Sequence, residues 1–139
     1  NVEIVAEAGE ENNVIFGARV EDIEQIADTY NARKLYNDNP KIKRCLDALT
    51  DGTLDDGGTG MFRELVTALL DGASWHKPDH YYLLLDFEDC LRAKLEVNRA
   101  YGSDRKAFAA KQWRNMCASG KFSSDRTIAE YAKEIWHIK

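Results

Sequence analysis

Apolar side chains recur every three or four residues along most of this 139-residue chain, a spacing typical of helices that bury one face. Only two prolines interrupt the sequence, so long helices have room to form. The clearest apolar stripe comprises Phe62, Leu65, Val66, Leu69 and Leu70. The pattern therefore predicts an almost entirely helical region over residues 31–139, with the last helix at about 124–136. Pro40 suits the first turn of a helix, Asp86 and Ser103 are candidate caps of two others, and Ser123 or Ser124 can cap the last one.

Residues 1–30 have a different pattern, which predicts helix, strand and helix in that order. The run Asn13–Gly17 is β-branched and aromatic and ends in glycine, as short strands often do. A second run, Tyr81–Leu85, is compatible with a strand or with the approach to a helix. Because a single strand cannot stand alone in water, we expect its partners outside this chain. The expected secondary structure is mostly α with one or two short strands.

Composition narrows the possible classes of protein. The chain is 44% apolar and 31% charged, as in globular domains, and its net charge is −5. The sequence lacks the basic stripe with interleaved aromatic residues that would predict nucleic-acid binding. It also lacks the long apolar run or leader sequence that would predict a membrane protein. The cysteines Cys45, Cys90 and Cys117 lie on predicted apolar helix faces, which favours buried reduced thiols and a cytoplasmic location.

The glycine-rich loop Gly52–Gly60 precedes a predicted helix and could resemble a phosphate-binding loop. It lacks the Gly-Lys-Ser/Thr sequence that such a loop needs, so a connector is the better interpretation. A calcium loop beginning at Asp51 also fails, because Asp56 stands where a sharp turn requires glycine and Phe62 where a bidentate glutamate is needed.

No other group of residues predicts a self-contained active site. His76 and His80 are four residues apart, but a proline lies between them and no third ligand has suitable spacing, so they are interpreted as surface-loop histidines. Neighbouring acidic residues in loops are poorly placed for glycoside chemistry, which needs two separated carboxylates. These neighbouring acidic residues are Glu10-Glu11 and Asp55-Asp56. The three tryptophans are assigned to the core or to an interface rather than to sugar stacking; they are Trp75, Trp113 and Trp136.

Two long motifs at the ends of the chain carry a resemblance to a known family. Residues 120–128, GKFSSDRTI, continue through EYA at 130–132 to IW at 135–136 and strongly resemble the closing motif of α-glucan phosphorylases. NVEI at 1–4, GEEN at 9–12 and IFG at 15–17 are similar to an earlier motif of that family. Further matches are Glu7, Val20-Glu21, Asp86-Phe87, Tyr101, Trp113, Asn115 and Ala118-Ser119.

The resemblance implies an α/β parent fold with two Rossmann-like lobes, in which residues 1–139 form the C-terminal part of the second lobe. The start at Asn1, without a methionine, fits a piece of a longer chain. The implied enzyme is a glycosyltransferase that uses inorganic phosphate to release glucose 1-phosphate from the non-reducing end of an α-1,4-glucan. Residues 53–56 depart from the family pattern, so glycogen, starch and maltodextrin stay open as substrates.

The resemblance also implies pyridoxal phosphate, held by a lysine Schiff base, whose own phosphate assists the substrate phosphate. The family's lysine motif, EASGTGNMKF, lies before the position at which this chain starts. Residues 58–62, GTGMF, imitate part of it but lack its asparagine and lysine. We therefore predict no catalytic, cofactor-binding or metal-binding residue in this chain, and no cofactor bound to it.

The partners follow from the same resemblance. We expect the remainder of the same polypeptide to cover an apolar stripe on the last helix, formed by Ile128, Tyr131, Ile135 and Trp136. The whole enzyme would bind α-1,4-glucan and phosphate as a cytoplasmic homodimer. The alternative is an independent helical protein-interaction module that engages its partners through an exposed apolar face.

Overall fold

The computed structural model describes residues 2–138, and helices dominate it. The α-helices are α1 (Val2–Ala8), α2 (Val20–Ile26), α3 (Ala32–Asp38), α4 (Pro40–Ala48), α5 (Met61–Leu70), α6 (Leu83–Ser103), α7 (Arg105–Ala118) and α8 (Ser124–Glu134). Two short 3-10 helices, Glu10–Asn12 and Ser119–Phe122, supplement them. A mostly helical chain was predicted and is confirmed.

The predicted strands are absent from residues 2–138, where only an isolated backbone bridge joins Ala73 and His76. The run Asn13–Gly17 is irregular, and the backbone amides at its last residue and at the next one bond to side chains. The backbone N–H of Gly17 donates to Asp89 Oδ2 at 2.8 Å, and that of Ala18 to Asp86 Oδ1 at 2.8 Å. The strand prediction was therefore wrong, since residues 2–138 contain no strand that could pair with that run.

The chain divides into two compact units. The central unit, Phe16–Arg92, has an apolar core formed by Ala32, Ile42, Leu46, Leu70 and Leu84. Tyrosine, leucine, valine and phenylalanine side chains pack around this core and are partly buried. The stripe predicted on α5 contributes Leu70 to the core and Val66 and Leu69 to its periphery. The prediction was wrong for Leu65 of the same stripe, which is 48% exposed.

The terminal unit combines Asn1–Ile15 with Ala93–Lys139 and has much less apolar burial. Among its described residues, Ala93 is the one buried apolar residue, and Asn12 is a buried polar residue. Neither α1, α7 nor α8 has a buried residue. A unit with so small a core needs further apolar cover to be stable on its own.

Side-chain caps explain where several helices begin. Asn31 and Asn39 accept backbone N–H bonds at the starts of α3 and α4, and Pro40 occupies the first turn of α4 as predicted. Ser123 caps α8, as one of two serines expected there. Ser103 and Asp86 were expected to cap α7 and α6, but Asp104 caps α7 and α6 already begins three residues before Asp86.

The cysteines are not buried as predicted. Cys45 and Cys117 are exposed and Cys90 is intermediate, and all three are free thiols. On α4 the buried positions are those of Ile42 and Leu46, which leaves Cys45 at the edge of that face. Within residues 2–138, no helix is both long enough and apolar enough to cross a lipid bilayer.

Candidate functional site

In the terminal unit, Asn12 joins two motifs that are about a hundred residues apart in the sequence. Its side-chain amide donates to the carbonyl oxygen of Ala8 at 2.7 Å, while its own backbone oxygen accepts from Asn115 Nδ2 at 2.7 Å. Arg114 Nη1 donates to Asn12 Oδ1 at 3.2 Å. Asn12 is 8% exposed, and satisfying its polar groups in this way makes its burial possible.

In the central unit, Gly17 fits closely against the side chains of α6. Its φ of 91° lies in the left-handed region, and an added Cβ would lie 2.6 Å from Asp86 Oδ2. The hydrogen bond from the Gly17 N–H, followed by the contact with Arg92, lowers the pKa of Asp89. The glycine of the sequence IFG and the aspartate of the sequence DF, two segments that resemble the phosphorylase motifs, are thus in contact.

Asp79 anchors the beginning of α6 in the same unit. Its carboxylate is 2% exposed and accepts the backbone N–H bonds of Leu83 and Leu84, each at 2.8 Å. The hydroxyl of Tyr30 donates to the same carboxylate. Burial of Tyr30, followed by its hydrogen bond to Asp79, raises the pKa of the phenol well above its ordinary value.

The last helix and the two residues that follow it carry an exposed apolar surface, the α8 stripe. The side chains predicted to be covered by further polypeptide are 54% exposed at Ile128, 46% at Tyr131, 60% at Ile135 and 53% at Trp136. Ile128 and Tyr131 lie on α8 itself, whereas Ile135 and Trp136 directly follow its last residue. Arg126 and Glu130 form an ion pair on the helix. Leaving such a stripe in water is unfavourable, so it has the character of a docking surface.

A groove of about 370 Å³ adds to the uncovered apolar surface of the terminal unit. Its apolar lining comes from Val14, Val97 and Phe108. On α7, Trp113 and Met116 are each 63% exposed and three residues apart, which places them on one side of the helix. The terminal unit thus has apolar surface on α7 and α8 without a matching core of its own.

The loop before α5 does not fit a bound phosphate. The carboxylate of Asp56 accepts the backbone N–H bonds of Gly58 at 3.0 Å and Phe62 at 3.2 Å, so the protein's own anion takes the donors that a phosphate would need. The Phe62 bond is the main cause of a lowered pKa at Asp56. Because the segment also lacks a lysine between Met61 and Phe62, its residues do not fit pyridoxal phosphate.

The remaining candidate residues lie in turns and loops. His76 and His80 lie in the turn segment before α6 with ring centroids 5.0 Å apart. Among residues 2–138 no three His, Cys, Asp or Glu side chains are grouped to hold a metal ion. Glu10-Glu11 lies in a 3-10 turn of one unit and Asp55-Asp56 in a loop of the other.

Sequence reasoning missed the two buried polar residues, Asn12 and Asp79. Asn12 belongs to the sequence GEEN, and its position in a motif was the available signal. Asp79 is four residues before Leu83, which begins α6, and directly follows Pro78, a context compatible with a helix cap. Its tyrosine partner is 49 residues away in the sequence, so this pairing required the tertiary structure.

Comparison with known proteins identifies the family. A sequence profile of the family described as Carbohydrate phosphorylase matches residues 1–138. The whole chain is 39% identical to the brain form of glycogen phosphorylase from Mus musculus. It is 37% identical to the muscle form from Bos taurus and 36% identical to the muscle form from Homo sapiens, again over its whole length.

The chain therefore belongs to the carbohydrate phosphorylase family. It spans 16% of the length of each of these glycogen phosphorylases.

Proposed function

We propose that this chain is the C-terminal part of an α-glucan phosphorylase and that it serves as a docking scaffold without catalytic residues of its own. The longer protein would transfer glucose from the non-reducing end of an α-1,4-glucan to inorganic phosphate and release glucose 1-phosphate. In this arrangement residues 1–139 complete the second of two Rossmann-like lobes. The cytoplasmic homodimer expected from the sequence belongs to the same proposal.

The exposed stripe of α8 is the observation that carries the scaffold role. Ile128, Tyr131, Ile135 and Trp136 retain about half of their surface in water. Covering what remains of them would contribute roughly 3 to 6 kcal/mol. The terminal unit offers no core that could absorb this stripe, since Ala93 is its one buried apolar residue among those described.

Chain length supports the same proposal. The glycogen phosphorylases that match this chain are about six times as long, which leaves ample polypeptide to cover the stripe. We place the pyridoxal phosphate cofactor in that other part, because the loop before α5 has neither the lysine nor free backbone donors for it. Substrate phosphate would be bound there as well.

The activity is tested on the full-length polypeptide that contains this sequence. With maltoheptaose and inorganic phosphate, it should release glucose 1-phosphate in a reaction that depends on added or bound pyridoxal phosphate. The 139-residue chain alone should release none. Phosphorolysis by the isolated chain, or a lysine of residues 1–139 found attached to the cofactor, would refute the scaffold role.

The docking role is tested by shortening an apolar side chain of the α8 stripe, Trp136, which lies two residues beyond the end of α8. Trp136→Ala should lower the melting temperature of the full-length protein by several degrees, because an anchor of the covered stripe is lost. Trp136→Phe, which keeps most of the apolar surface, should lower it less. An unchanged melting temperature for Trp136→Ala would show that α8 is not covered.

The alternative, an independent helical interaction module, predicts a different start of the reading frame. It requires a reading frame that begins close to Asn1, whereas the proposed enzyme requires one that continues upstream through a GTGNMKF-type motif. Sequencing the complete transcript distinguishes the two without any protein chemistry.

A further inference from the structure

The segment between α5 and α6 holds a tryptophan at the tip of a tight turn. Ala73 and His76 exchange backbone hydrogen bonds, from Ala73 N to His76 O at 3.2 Å and from His76 N to Ala73 O at 2.8 Å. Ser74 and Trp75 form the two-residue tip, with Ser74 in the left-handed region at a φ of 54°. Trp75 is 82% exposed. This turn thus holds a large apolar ring out in water.

The inner side of the segment is firmly anchored, which fixes the position of the tip. The buried carboxylate of Asp79 binds the start of α6, and the ring of Tyr82 packs on that of Tyr30 with centroids 4.8 Å apart. Gly72 is required at its position, because an added Cβ would lie 2.6 Å from the carbonyl oxygen of His76. An exposed residue on so well tethered a turn loses little freedom when it binds a ligand.

Backbone strain is concentrated in the same segment, residues 71–82. Ser74, Asp79 and Tyr82 all have positive φ values, of 54°, 40° and 58°. Such conformations cost free energy in residues other than glycine and persist where the surrounding structure or a function requires them. Asp79 is accounted for by its capping role, but nothing in the central unit requires an exposed tryptophan at the tip.

The rings around the tip form a supported platform. The imidazole of His76 stacks against the indole of Trp75 with centroids 3.5 Å apart and planes tilted by 33°, which backs one side of the indole. His80 and Tyr81 continue the row, with His76 and His80 centroids 5.0 Å apart and His80 and Tyr81 4.9 Å apart. Tyr81 is 71% exposed. The row therefore combines bare ring faces with the exposed imidazole of His80 and the phenol of Tyr81, which can form hydrogen bonds, whereas Nδ1 of His76 is buried without a partner.

This surface differs in chemistry from the stripe on α8. That stripe consists of aliphatic and aromatic side chains on α8 and just after it, as expected for protein packing. The turn segment instead mixes ring faces with hydrogen-bonding edges. Both of its carboxylates already have partners, since Asp79 is buried against the start of α6 and Asp71 pairs with Arg33. A neutral sugar fits such a surface because the C–H groups on one side of its ring contact the negative face of an aromatic ring, while its hydroxyls bond to the polar edges.

We propose that Trp75, with Tyr81 beside it, is a contact site for the α-1,4-glucan chain, a site additional to the one at which the reaction occurs. This proposal rests on the proposed function for the identity of the sugar. The indole takes one face of a glucose unit, and the row of His76, His80 and Tyr81 provides stacking and hydrogen bonds to the units beside it.

The test is affinity electrophoresis of the full-length protein in native gels that contain amylopectin and no phosphate. We expect Trp75→Ala to raise the apparent dissociation constant for amylopectin about fivefold, Tyr81→Ala to raise it less, and Trp75→Phe to retain most of the affinity. Trp113→Ala removes another exposed tryptophan outside the segment and should leave retention unchanged. Gels containing dextran, which lacks α-1,4-linked chains, should not distinguish the variants.

Equal retention of Trp75→Ala and the unsubstituted protein would overturn the proposal. A lowered melting temperature of Trp75→Ala with unchanged retention would also overturn it, by showing that further polypeptide covers this ring. Phosphorolysis is measured only on the unsubstituted protein. An active protein whose retention is unaffected by Trp75→Ala refutes the glucan contact alone, whereas an inactive protein retained through Trp75 refutes the proposed reaction and leaves the contact standing.

Discussion

Removing the hydroxyl of Tyr30 should loosen the start of α6. In Tyr30→Phe the buried Asp79 carboxylate keeps the N–H bonds of Leu83 and Leu84 but loses its third donor. A hydrogen bond to a charged group contributes about 1.5 to 3 kcal/mol. If the free energy of local opening at the first turn of α6 falls by this amount, amide exchange there accelerates about 10- to 150-fold.

The measurement is hydrogen exchange followed by mass spectrometry on peptides covering residues 80–90. Tyr36→Phe is the matched control, because it deletes a tyrosine hydroxyl that donates to Asp47 at 2.5 Å. The Asp47 side chain is 39% exposed and pairs with Lys43, so water and the lysine replace the lost bond at a cost below about 1 kcal/mol. Tyr36→Phe should leave exchange at the start of α6 unchanged.

Unchanged exchange over residues 80–90 in Tyr30→Phe would refute the reasoning. So would equal acceleration in both variants, since the effect would then reflect general destabilisation and not the Asp79 anchor. Asp79→Ala should accelerate exchange more than Tyr30→Phe, because it leaves three donors without their acceptor in a buried position.

Three further predictions test other contacts. Because folding raises the pKa of Tyr30, its contribution to stability is fully present below pH about 10 and is lost as the pH rises further towards the folded-state pKa. In Tyr30→Phe, the free energy of unfolding should therefore lack this decrease at alkaline pH. Gly17→Ala should destabilise more than Gly52→Ala in thermal melts, because both glycines have a φ of 91° but only an alanine at 17 would clash with Asp86, while Gly52 faces open space. Asn115→Ala should lower stability by about 1 kcal/mol in denaturant melts by removing the bond to the Asn12 carbonyl, whereas Lys106→Ala on the same helix should have little effect.

Helix positions were the part of the fold that could be read from the sequence. The spacing of Phe62 to Leu70 predicted α5, and Pro40 predicted the start of α4, because both signals arise from neighbours within one or two turns. Ser123 as a cap of α8 was likewise a local inference. The last helix ends at Glu134, two residues before the predicted end, and His137 beyond it has a φ of 52°.

The strand at Asn13–Gly17 shows where local reasoning failed. A β-branched and aromatic run is compatible with a strand, but a strand forms only where a second one offers hydrogen bonds. Here the amides of Gly17 and Ala18 reach carboxylates of Asp89 and Asp86, about seventy residues further along the chain. The predicted burial of Cys45 and Cys117 failed for a related reason, because apolar periodicity marks a face without showing that anything covers it.

Family membership and the helical character of the chain were contained in its sequence alone, because motif order and apolar spacing are local properties that need no tertiary contact. The long-range pairs were decided by the tertiary structure: Asn12 with Asn115, Gly17 with Asp89, and Tyr30 with Asp79. Each joins residues between about 50 and 100 positions apart, and nothing in the spacing of side chains along a helix encodes which distant backbone group will be its partner. The packed chain also determined which apolar faces stay in water, because exposure depends on the sum of all neighbours and not on any one segment.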